Sequence, residues 1–89
     1  MKVLMKPIEM IAWFTRDGKP NPIRYQIAKE HEDGDNIVIN VDRIITRAEE
    51  KLAGNRMIVF KCQSVFDGTE KLYELKYEIN TCKWFLYKM

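Results

Sequence analysis

The sequence predicts a mainly β fold: a small antiparallel barrel or strongly curled sheet of five to six strands, with one short helix between the third and fourth strands. Three observations predict it. Apolar residues recur with a period of two in most of the chain, Gly-containing turns sit between those runs, and one segment near the middle carries helix-terminus signals instead.

The first strand is read from Ile8, Met10, Ala12 and Phe14, which are apolar at alternate positions, and the second from Ile23, Tyr25 and Ile27. Thr15 to Pro22 joins them as a long turn. The next connection contains Glu32-Asp33-Gly34, with Gly where a three-residue hairpin loop needs a left-handed backbone. Closing that loop opposes His31 to Asp35, Ile27 to Ile39, Tyr25 to Val41 and, on the reverse face, Arg24 to Asp42.

Thr46 to Gly54 is read as a short helix near residues 47 to 53. Thr46 with Glu49 forms a capping box, Ala48 and Leu52 share a face, and Gly54 stands where a helix would end. The rival is a strand running on to a hairpin at Gly54-Asn55, which the alternating charges Arg47, Glu49 and Lys51 permit. Beyond it, Asp67-Gly68 suits a two-residue type I′ turn. Counting back from Phe66 opposite Thr69 places Cys62 against Tyr73, Phe60 against Leu75 and Ile58 against Tyr77, with Lys61 against Glu74 on the other face. Asn80 to Lys83 leads into a last strand, Trp84 to Met89. A helix after the third strand is also where oligonucleotide- or oligosaccharide-binding barrels carry one, a likeness of topology that covers no sequence motif.

The 89 residues are expected to form a single domain, since that length does not divide a hydrophobic core. Apolar residues at 46% and charged ones at 31% exclude the disordered and collagenous classes. A net charge of +2 neither requires nor forbids a nucleic-acid partner. The apolar start is interrupted by Lys6, Pro7 and Glu9, which argues against a signal peptide, and no run is long enough to cross a membrane as a helix. Two cysteines are too few for a disulfide-stapled secreted scaffold, so a reduced, cytoplasmic protein is expected.

Few residues suggest chemistry. His31 is the only histidine and sits among Glu30, Glu32, Asp33 and Asp35, a composition read as a solvated turn in preference to a metal site. Asp33-Gly34-Asp35-Asn36 lacks the ligand spacing of a calcium loop. Cys62 falls on an apolar face without a base, and Cys82 reads as a surface thiol. Phosphate-binding glycine loops, zinc-protease motifs and nucleophile elbows are missing from the sequence, so no catalytic residue, metal or other cofactor is assigned.

The aromatic residues are the stronger lead. Phe14, Tyr25, Phe60, Tyr73 and Tyr77 face inward in these registers, whereas Trp13, Phe85 and Tyr87 face out. Trp13 falls across from Arg24, Phe85 across from Glu78, and Tyr87 across from Lys76. These five, Trp13, Arg24, Lys76, Phe85 and Tyr87, are the candidate binding residues. Val59, Val65, Leu72, Ile11 and Val38 add apolar surface to the same outer side, while cover by the helix and the first turn is the competing account. The function expected is a non-catalytic binding or interaction module that self-associates through this face. The alternative is a small barrel binding single-stranded nucleic acid by stacking bases on rings beside Lys or Arg, which a basic stripe of Lys2, Lys6, Arg16 and Lys19 would favour. An enzyme of unrecognised class comes third.

Overall fold

A computed structural model describes residues 1–28 and 36–89. All of the regular structure there is strand: β1 (Val3–Phe14), β2 (Pro20–Ile27), β3 (Ile37–Asn40), β4 (Arg43–Leu52), β5 (Asn55–Phe66), β6 (Thr69–Glu78) and β7 (Lys83–Lys88). They form one antiparallel sheet in the order β3-β2-β1-β7-β6-β5-β4, curled into a half-barrel.

Two corners produce the curl. β1 pairs with β7 through residues Val3 to Ile8 and with β2 from Glu9 onward, so one strand serves two parts of the sheet. Irregularities after Val3 and after Ile11 lie along it, the first including Met5 at φ 44°, and such bulges bend a strand and deepen its twist. The second corner is Val41-Asp42. Val41 N–H donates to the Ile23 carbonyl at 2.9 Å and Asp42 N–H to the Gln63 carbonyl at 3.1 Å, carrying the chain from the edge of β2 to the edge of β5. The Asp42 carboxylate also accepts the Val65 N–H at 2.9 Å. On the concave side, the Ser64 hydroxyl bonds the Asn40 carbonyl at 2.6 Å and meets the Tyr73 hydroxyl at 2.6 Å. Since Ser64 has one proton to give, its bond to Asn40 leaves Tyr73 as the donor between the two hydroxyls.

The concave face holds the core: Tyr25 and Ile39 from one side of the curl, and Phe60, Cys62, Tyr73, Leu75, Tyr77, Trp84 and Leu86 from the other. Full burial of such an aliphatic or aromatic side chain contributes roughly 1.5–3 kcal/mol, so this face supplies most of the driving force. The β5–β6 hairpin follows the expected register at every position from Phe66–Thr69 to Ile58–Tyr77. Asp67 and Gly68 have φ of 47° and 78°, as a type I′ turn requires. A Cβ on Gly68 would meet nothing within 4 Å, leaving backbone strain alone. Gly68→Ala is therefore expected to cost about 1 kcal/mol. An unchanged urea midpoint would contradict this turn assignment.

Four expectations need correction. Residues 47–53 are not helical: β4 runs through them, paired with β5 from Arg43–Gln63 to Leu52–Asn55. The reason is that a two-turn helix is marginal in water, while the strand satisfies a 12-residue neighbour that would otherwise be an open edge. The hairpin closes at Ala53-Gly54, with φ of 50° and 83°, one residue before the rival reading placed it. With this strand, and with β3 and β4 separated at the corner, the count rises to seven strands. Third, β2 and β3 pair as Tyr25–Ile39, Ile27–Ile37 and Arg24–Asn40, two residues away from the expected register. The connection itself, with Gly34 and His31, lies outside the described residues. Finally, β6 and β7 are also shifted by two, with Trp84 opposite Tyr77 and Phe85 opposite Lys76. A shift of two leaves every side chain on its face, so burial alternation alone does not distinguish these registers.

Candidate functional site

The five candidate residues fall into two groups on the convex side. Lys76, Phe85 and Tyr87 form the first. Phe85 is the direct neighbour of Lys76, and a bulge after Glu74 leaves Tyr87 able to reach the same lysine: its ring centroid lies 3.8 Å from Lys76 Nζ. Lys88 Nζ lies 4.9 Å from that ring. The carboxylate of Glu50 accepts a hydrogen bond from Lys76 Nζ at 2.8 Å. Lys76 is only 6% exposed as a result. A cation held between a carboxylate and an aromatic face has its charge matched inside the fold, which removes it as a free phosphate ligand. Phe85 and Tyr87 are themselves half-buried. Glu50 belongs to this group, and reading residues 47–53 as a helix hid it, because only a strand carries it to β5 and within reach of β6.

Trp13 of β1 and Arg24 of β2 form the second group, where those two strands pair. Their partners differ from those expected because β2 begins at Pro20, inside the expected Thr15 to Pro22 turn, and because a bulge at Ile23 adds a further offset: Trp13 stands opposite Asn21, and Arg24 stands between Ile11 and Asn40. Trp13 is 69% exposed, Val38 59% and Ile11 55%. Ile11, Arg24 and Val38, with the hydrogen-bonded pair Glu9 and Gln26, line a shallow depression of about 430 Å3. Apolar residues this open on β1 and β3, either side of β2, form a face that water covers at a cost.

A larger cleft of about 860 Å3 opens on the concave side, where β1 parts from β7; Met10, Ala12, Phe14, Tyr77 and Trp84 line it. It contains only one of the candidate residues, Phe85; of its inward aromatic residues Tyr77 and Trp84 are buried, whereas Phe14, expected in the core, is 48% exposed. Phe14 packs edge-on against Tyr77 at 5.9 Å, and Tyr77 against Trp84 at 4.7 Å. At its rim the free, exposed Cys82 adopts φ 60° in the β6–β7 turn. A hydrogen bond with Cys82, followed by burial, pushes the Tyr77 hydroxyl up to about 12. Cys62, by contrast, is wholly buried, and burial pushes its thiol up to about 12, so it is protonated and unreactive at neutral pH. Among the described residues no cluster of His, Cys, Asp and Glu is arranged to hold a metal ion, and no helix is long and apolar enough to cross a membrane.

No protein family, curated protein or solved structure matches the chain.

Proposed function

We propose that the protein is a non-catalytic binding module that self-associates through the convex face of β1, β2 and β3. The observation that carries this reading is the exposure of Trp13, 69%, and of Ile11, 55%, two positions apart on the same side of β1, with Val38, 59%, open on the same face of β3. An exposed tryptophan next to aliphatic residues, with an arginine close by, has the composition of an interface centre. Arg24 supplies the polar edge and orients the contact. Phe85 and Tyr87 contribute less than expected from sequence, because their rings are half-covered and Tyr87 is occupied by Lys76.

Combined Trp13→Ser and Ile11→Ser substitution is expected to leave the circular dichroism spectrum intact and to weaken association on the order of 30-fold or more, the value of a tryptophan hot spot. Light scattering or sedimentation across a concentration series reads the change. An unchanged mass would remove the face from consideration. Steeply salt-dependent binding of single-stranded oligonucleotides, lost on the same substitution, would instead assign the face to nucleic acid.

A further inference from the structure

The sheet ends in two free edges among the described residues, and they are not equivalent. β3 is four residues long. Where β2 extends beyond β3, its edge carries Pro20 and Pro22, which have no N–H to offer a neighbour. β4 is different: ten residues, no proline, and a ladder on one side only.

The hairpin fixes which main-chain groups of β4 are open. In a two-residue turn at Ala53-Gly54, Leu52 and Asn55 form the hydrogen-bonded closing pair. Alternation then directs the N–H and C=O groups of Leu52, Glu50, Ala48 and Thr46 toward β5, and those of Lys51, Glu49 and Arg47 away from it. Any strand added here must bond to that second set.

We infer that this edge pairs antiparallel with β4 of a second copy, about a twofold axis through Ala48. Only even-sum registers align the open main-chain groups of two such strands, and charge chooses among them. Centring on Glu49 sets Glu49 against Glu49 and Arg47 against Lys51. Centring on Arg47 sets Arg47 against itself, and centring on Glu50 matches Glu49 with Lys51 but sets Glu50 directly against Glu50. Centring on Ala48 sets Arg47 of each copy against Glu49 of the other, so each pair exchanges both main-chain hydrogen bonds and matches opposite charges. Charges on an edge strand ordinarily keep other strands away; here their signs are arranged to accept one strand in one register.

Both charged side chains lie on one side of the sheet. Arg47 lies on the concave side, its guanidinium 5.2 Å from the Phe60 ring and hydrogen-bonded to Asn21. Glu49 is on the same side, ion-paired with Arg56 at 2.6 Å. Antiparallel pairing extends this into an alternating row, Arg56–Glu49–Arg47, across the junction and joins two half-barrels into one continuous sheet.

This contact is independent of the Trp13 face, and a charge-swap experiment separates them. In the Trp13→Ser, Ile11→Ser background the protein is expected to sediment at about twice its monomer mass of 10.6 kDa, held by β4 alone. Adding Glu49→Lys sets Lys against Arg47 and is expected to return the mass to 10.6 kDa. Adding Arg47→Glu instead sets like charges together again and gives the same result. Mixed in equal amounts, these two chains have complementary charges at both pairs and are expected to recover the dimer mass. Should Arg47→Glu lose its fold by uncovering Phe60, the Glu49→Lys chain is decisive by itself. A monomeric Trp13→Ser, Ile11→Ser protein, or a Glu49→Lys chain that keeps the dimer mass, overturns the proposal.

Discussion

Phe60→Ala is expected to remove about 3 to 5 kcal/mol of stability, close to the whole margin of a fold this small. The side chain is fully buried in the concave face. Its ring packs on Trp84 at 5.6 Å and lies beneath the Arg47 guanidinium at 5.2 Å, while its strand neighbours are Arg47 and Leu75. Truncation leaves a void at the centre of the curl, where β4, β5, β6 and β7 all contribute side chains. Those strands are laddered together and have little freedom to collapse inward, which places the cost in the upper part of the usual range. Urea unfolding followed by tryptophan fluorescence measures it. A soluble, cooperative Phe60→Ala protein with a near-parental midpoint would show that the centre of the core is elsewhere.

Stability is also expected to fall steeply at alkaline pH. Burial pushes the Cys62 thiol up to about 12 and raises the Tyr25 and Tyr73 hydroxyls. For each of these groups the fold retains the neutral, protonated form. An unfolded chain releases those protons at the ordinary values, near 8.5 for cysteine and about 10 for tyrosine, so above them the native state binds more protons than the unfolded one. The contribution is therefore fully present below about pH 8.5 and is lost as pH rises toward the folded values, at up to about 1.4 kcal/mol per pH unit for each group. The expected result is a urea midpoint that is level from pH 7 to 8.5, declines from pH 9 and declines faster beyond pH 10, where the tyrosines join. Cys62→Val should flatten the segment between pH 9 and 10 while leaving the later decline. A midpoint independent of pH up to 11 would mean that these groups are hydrated in the native protein.

The β class, the inward faces and the β5–β6 register were determined by the sequence alone. Each depends on neighbours close in the chain: alternation at Cys62, Phe60 and Ile58 and at Tyr73, Leu75 and Tyr77, locked by one Asp67-Gly68 turn. What the tertiary structure decided was of another kind. Ala48 and Leu52 match a helix as well as a strand, and the choice went to strand because β5, far longer than any local signal in that segment, needed a partner along its edge. The β2–β3 and β6–β7 registers each moved by two residues, a change invisible to face alternation. The candidate binding residues divided for the same reason. Lys76 meets Glu50 only because β4 is a strand two places away in the sheet, and Trp13 stands apart from Phe85 only because β1 leaves β7 for β2 at a corner. Local sequence specifies which way a side chain points; which side chains then share a surface depends on how distant edges pair, and that is a property of the whole sheet.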